Sequence, residues 1–143
     1  MRTVQDEDGR TYLLLKRSAD GWLVHDPETG QETYRPPADL ELRDEESPLS
    51  AAANAVSPPV RAVLTAVRTE RSLGLLLELE RDGPLSVRAM LDRYEYCESD
   101  LHGRLAEFRV AGLIKEQQVT GERGYGTTEL AAEGLEYLSA DRD

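Results

Sequence analysis

"CESDLHGRLAEFRVAGLI" spans residues 97 to 114, and its spacing decides how the rest of the chain is read. At about 100° per residue, Leu101, Leu105, Phe108 and Gly112 fall on one side of a helix. That side is expected to face a core. Opposite them lie Ser99, Gly103, Ala106 and Val110, flanked by Asp100 and Glu107, with His102, Arg104 and Arg109 on the borders. The periodic run predicts a helix over residues 98–111 that ends near Gly112, because glycine accepts the left-handed conformation of a helix stop.

Working outward, "IKEQQVT" (114–120) and "YGT" (125–127) predict two strands joined by the turn "GERG" (121–124), with Arg123 at its tip. "ELAAEGLEYL" (129–138) predicts a helix capped by Thr127 or Thr128. Upstream, "SVRAMLDRY" (86–94) predicts a short helix capped by Ser86, and "SLGLLLELERDGP" (72–84) a helix closed by Gly83 and Pro84. Ser57 caps one more, with Pro58 at its first position. Its Val60, Val63, Leu64 and Val67 recur as an apolar face. Leu73, Leu75, Leu76, Leu77 and Leu79 cover more than one side of the 72–84 helix. One side packs the core. The other requires a cover, either within the monomer or across a dimer interface of Val60, Val63, Leu64, Val67, Leu75 and Leu79.

Residues 1–43 read as a β-rich module. "TYLLLKRS" (11–18), "GWLVHD" (21–26) and "QETYRP" (31–36) are strand-like runs separated by turn residues, with "RTV" (2–4) or "LEL" (40–42) as an edge. Leu13, Leu15, Trp22, Val24 and Tyr34 are expected to form its apolar side. Residues 44–57 join an acidic run, Asp44-Glu45-Glu46, to a short alanine-rich helix capped by Ser47, and so read as a linker. Residues 58–143 form the remaining domain.

Helix, short helix, helix and hairpin resemble the winged helix-turn-helix superfamily, in the loose MarR-like or ArsR-like sense. "GPLSVRAML", "SDLHGRLAEFRVAGLI" and "GERGYGTTELAAEGLEYL" carry the resemblance, which covers about residues 59 to 138. With the β-rich reading of residues 1–43, it implies an α+β protein in which a small N-terminal antiparallel β-meander precedes a winged helix-turn-helix domain. It also implies double-stranded DNA as partner, the third helix in the major groove, the hairpin wing over the minor groove, and dimerisation through helices outside the motif.

Composition sets the conditions for such binding. Asp and Glu number 28 against 17 Lys and Arg, for a net charge of −11, and Lys16 and Lys115 are the only lysines. Acid excess with lysine scarcity resembles proteins of halophilic archaea, so a haloarchaeal regulator is expected. One cysteine, the lack of a charged-then-apolar leader and the lack of a long apolar run point to a soluble cytoplasmic protein without membrane contact.

Enzymatic readings find little support. Cys97, His102 and His25 are too few and too scattered for a closed zinc site. Cys97 and His102 stand about 140° apart round a helix. Glu95, Glu98 and Asp100 would raise the pKa of the thiol rather than activate it, so Cys97 reads as a buried small residue. No glycine-rich phosphate signature is present, and neither a catalytic set, a metal nor a cofactor is expected.

Two readings of the 98–111 helix remain. In the first, Ser99 and His102 reach base edges, Ala106 or Val110 touches thymine methyls, and Arg104 and Arg109 hold phosphates, with Gly103 on the same DNA-facing side. Lys115 and Arg123 then serve the wing, since an arginine can enter a narrow minor groove. In the second, the small stripe receives another helix, and the domain assembles proteins without reading DNA. Molar salt weakens the objection from acidity, because the Debye length there is about 3 Å.

Overall fold

The computed structural model describes residues 2–43 and 47–139 and divides the chain into two compact units, Met1–Ser57 and Pro58–Asp143. The acidic run at 44–46 lies outside the described residues.

The first unit is an antiparallel sheet of β1 (Arg2–Gln5), β2 (Thr11–Ser18), β3 (Gly21–His25), β4 (Glu32–Arg35) and β5 (Glu41–Arg43), in the order β4-β3-β2-β1-β5. Both candidate edge segments are therefore strands, one inside the sheet and one at its edge. A 3-10 turn, Pro37–Asp39, precedes β5, and α1 (Pro48–Ala52) packs on β1 and β2. Ser47 stands at the N-cap of α1 but accepts no hydrogen bond through its side chain.

The apolar side differs from the sequence expectation. Leu14 pairs with Val24 and Lys16 with Leu23, so Leu15 is an extra, unpaired residue. Such a bulge shifts the alternation by one position. The core of this unit is Val4, Tyr12, Leu14 and Val24, with Trp22, Leu40 and Leu42 around it. Leu13 is buried beside Thr3 in the register of β1 and β2. Leu15 is 39% exposed and Tyr34, on edge strand β4, is 57% exposed.

The second unit runs α2 (Pro58–Ala66), α3 (Glu70–Asp82), β6 (Leu85–Ser86), α4 (Val87–Tyr94), α5 (Glu98–Val110), β7 (Ile114–Val119), β8 (Glu122–Thr127) and α6 (Glu129–Ser139). Three strands pair in the order β6-β8-β7. A helix, a strand, two helices joined by a turn and a hairpin, in this order and pairing, form a winged helix-turn-helix domain. The protein is α+β.

Local chemistry sets these elements. Ser86 Oγ accepts from the Ala89 N–H at the start of α4, and Thr128 Oγ1 from the Ala131 N–H at the start of α6. Thr69, not foreseen, caps α3 by accepting from Ser72 N–H, so that helix begins at Glu70 rather than residue 72. Gly112, expected on the core side, is instead an exposed residue at φ +80°. It stops α5, while the Leu113 N–H returns to the Phe108 carbonyl at 2.9 Å.

Leu101, Leu105 and Phe108 are buried as their spacing predicted. They join Leu75, Leu76, Leu79, Met90, Leu113, Tyr125 and Leu135 in one core. Val63, Leu75 and Leu79 belong to that core and Val60 is also buried. These four are thus covered within the monomer, Val63 at the floor of an apolar groove. Leu64 is exposed and Val67 partly so. Gly134 lets α6 approach α2, since a Cβ there would lie 2.5 Å from the Pro59 carbonyl oxygen.

Candidate nucleic-acid interface

Helix α5 presents the small stripe outward. Ser99, Gly103, Ala106 and Val110 are all exposed, Val110 by 91%. His102 and Arg109 are exposed beside them, and Arg104 is partly covered. Cys97 is exposed at the N-cap, not buried, with its Sγ 3.5 Å from Ser99 Oγ. A helix start that faces solvent leaves its first side chains outside the core.

The wing departs from expectation at its tip. Thr120 and Gly121, at φ 49° and 81°, make a two-residue turn that opposes Val119 to Glu122. Arg123 therefore sits inside β8, opposite Gln118. Glu116 opposes Tyr125, so Glu116, Gln118, Arg123 and Tyr125 share one strand face, while Lys115 opposes Gly126 on the other. The two basic wing residues do not come together. Lys115 is exposed and has no carboxylate partner among the described residues.

Arg123 and α5 do come together. His102, Leu105, Ala106, Arg109, Val110, Arg123 and Tyr125 line a cleft of ≈ 170 Å³ between the helix and the wing. Its charges are already partly answered. Glu116 Oε1 lies 3.1 Å from Arg123 Nε, and Glu116 Oε2 lies 3.8 Å from Arg109 Nη1. Arg123 Nη2 also donates to the Tyr125 hydroxyl at 2.8 Å. His102 Nε2 is 3.7 Å from Glu98, and Arg104 is 3.3 Å from Glu107. Arg88 of α4 reaches Glu122 of the wing at 3.6 Å.

Glu116 and Tyr125 are the site residues that the sequence reading missed. The signal was the hairpin register, because residues two apart on facing strands share a side. Placing the turn at 121–124 instead of 120–121 obscured it.

A second depression, ≈ 400 Å³, lies on the other flank of α5, where Thr65, Ala66 and Arg68 face Ala106, Glu107 and Val110. No group of His, Cys, Asp and Glu among the described residues has a metal-binding arrangement. No described helix is long and apolar enough to cross a membrane.

No curated protein matches the chain. Among solved structures it is similar to HlyU from Vibrio cholerae, with 31% sequence identity over 59% of this chain and 96% of that one, at a TM-score of 0.47. Residues 1–139 match a family model described as a family of unknown function, DUF7346. The winged-helix chain thus belongs to the DUF7346 family, whose function is open.

Proposed function

We propose that this chain binds double-stranded DNA through α5 and the β7–β8 wing and regulates transcription in a salt-filled archaeal cytoplasm. The observation that carries the reading is the cleft where His102, Arg109 and Arg123 converge beside the exposed Ala106 and Val110. Ser99 and His102 address base edges, Ala106 and Val110 the thymine methyls, and Gly103 the close approach. Arg104, Arg109, Arg123 and Lys115 contact phosphates. Two copies join over the apolar groove of ≈ 560 Å³ between α2, α3 and α6, lined by Leu64, Val67, Leu73, Leu77, Leu135 and Leu138 among others. A dimer would present two recognition helices to two half-sites.

Immunoprecipitating the protein from its host and sequencing the DNA that comes with it tests this directly. In vitro, Ala106→Glu and Arg123→Ala should each weaken binding to the recovered fragments while light scattering shows an unchanged assembly. A second reading rests on Glu116, which already occupies Arg109 and Arg123. There the stripe from Ser99 to Val110 packs a protein partner. Ala106→Glu then weakens a protein assembly, and Arg123→Ala has no effect. The halophilic setting has its own check. Self-repulsion at net −11 predicts a melting temperature that rises from dilute buffer to molar potassium chloride, and a flat response removes this part of the proposal.

A further inference from the structure

A separate cavity lies on the far side of α3 from the apolar groove, against the connection between α4 and α5. It measures ≈ 230 Å³ and is lined by Arg71, Gly74, Leu75, Glu78, Tyr94 and Tyr96. Its walls carry a polar group left without a partner. The Tyr94 and Tyr96 hydroxyl oxygens are buried; Tyr96 has no hydrogen-bond partner among the described residues, and the Tyr94 hydroxyl has only the nearby Glu78 carboxylate to turn to. Buried polar groups are ordinarily satisfied, so a buried hydroxyl without a partner at this cavity requires an account.

The charges there are also open. Arg71 lies over the Tyr96 ring at 4.3 Å and donates to the Tyr94 carbonyl at 3.5 Å, and it has no carboxylate partner among the described residues. That is notable in a chain with 28 acidic residues against 17 basic ones. Glu78 likewise has no cationic partner among the described residues. Desolvation first, and the nearby charge of Glu78 second, push the Tyr94 phenol up, which places that carboxylate close to the cavity wall. Arg71 and Glu78 are seven residues apart on one face of α3, roughly 10 Å along the helix axis. Between them Gly74 leaves open space, with nothing within 4 Å of where a Cβ would stand.

We propose that this cavity binds a small zwitterion, its anionic end on Arg71, its cationic end on Glu78, and the Tyr94 and Tyr96 hydroxyls on the polar atoms between. Opposite charges at the two ends select a molecule that carries both signs. Its size is bounded as well, since sites for drug-sized ligands run to about 300–1,000 Å³ and this one takes an amino-acid-sized molecule. The occupant touches both α3 and the residues that lead into α5. The proposal stands independently of DNA binding.

Calorimetric titration of the full chain with glycine, β-alanine, γ-aminobutyrate and 6-aminohexanoate tests it, with butyrate and butylamine as single-charge controls. At least one zwitterion should bind saturably, and about tenfold or more tighter than either control. Glu78→Gln and Tyr94→Phe should each weaken that binding. Gly74→Leu should abolish it while raising the melting temperature, because leucine fills the space and is the better helix former. The proposal is overturned if no member of the series binds, if a single-charge control binds as tightly, or if Gly74→Leu folds and binds as before. Binding of none would assign the hydroxyls to water alone.

Discussion

Two arginine–carboxylate clusters in this protein look alike on paper and differ in what holds them. At one end of the N-terminal sheet, Asp6 Oδ1 accepts from the N–H groups of Asp8 and Arg10 at 3.0 Å each, and its other oxygen from the Tyr12 hydroxyl at 3.1 Å. Asp26 accepts from Glu28 N–H at 2.9 Å and from Arg10 Nη2 at 2.6 Å. The Asp6 and Asp26 side chains are only 7% and 12% exposed. At the wing, Glu116 is half exposed and holds Arg109 and Arg123 by side chain alone. A carboxylate bonded to its own backbone shapes a turn and cannot leave without undoing it. One held by two side chains in water can be exchanged for another anion, because exposed pairs contribute little to stability. The first cluster is architecture. The second has the character of a surface that a phosphate could enter.

The largest expected effect sets the baseline for that contrast. Phe108→Ala removes a fully buried ring from the core side of α5 and should cost about 3–5 kcal/mol. Out of a typical total of about 5–15 kcal/mol this moves the denaturant midpoint far down. A near-wild-type midpoint would mean that α5 tolerates a loss of core, and the cleft could not be treated as a fixed arrangement.

Next comes the buried cluster. Asp26→Asn or Asp6→Asn should cost about 1–3 kcal/mol, as expected where charged hydrogen bonds are lost from a covered site. The pH dependence sharpens this. Burial alone would raise both carboxyls, but for Asp6 the N–H groups of Arg10 and Asp8 and the Tyr12 hydroxyl outweigh it. For Asp26, the Glu28 N–H and the Arg10 charge do the same. Both folded values thus lie below the ordinary 3.8. The stabilisation is present in full above that value and is lost as pH falls through the folded values. Urea midpoints of wild type and Asp26→Asn should therefore differ at neutral pH and converge in acid. A constant gap down to the lowest pH would break the comparison.

The smallest change in stability should come from Glu116→Gln, within about 1 kcal/mol as for other exposed pairs. Its effect on binding should be opposite in sign to a loss. With Arg109 and Arg123 released, DNA fragments should bind more tightly. The slope of log affinity against log salt should steepen by about 0.9 for each phosphate newly neutralised. An unchanged slope and affinity would mean that Glu116 is as fixed as Asp26, and that the wing cleft is not where phosphates go.

Much of the fold was legible where a local rule is strong. Ser86 and Thr128 have the chemistry of caps and act as caps. The period of Leu101, Leu105 and Phe108 located the core side of α5, and the run 11–18 coincides with β2. The two-residue strand β6 was not legible, because two residues carry no period. Nor was the bulge at Leu15, which turned Val24 toward Leu14 and left Leu15 outside, nor the β3–β4 register that sets exposed Tyr34 opposite Leu23. The candidate site was half legible. Its helical side followed from the wheel, whereas its wing side depended on a turn one residue away from where it was read.

The sequence by itself determined the order of elements, the buried stripe of α5 and the acidic balance, since each follows from spacing or composition along the chain. Only the tertiary structure decided which charges answer each other. Glu116 meets Arg123 because the turn at Thr120 and Gly121 sets the strand register, and it meets Arg109 because the hairpin folds beside α5. Register and packing bring together residues that are distant in sequence, and a shift of one residue sends every strand side chain to the opposite face.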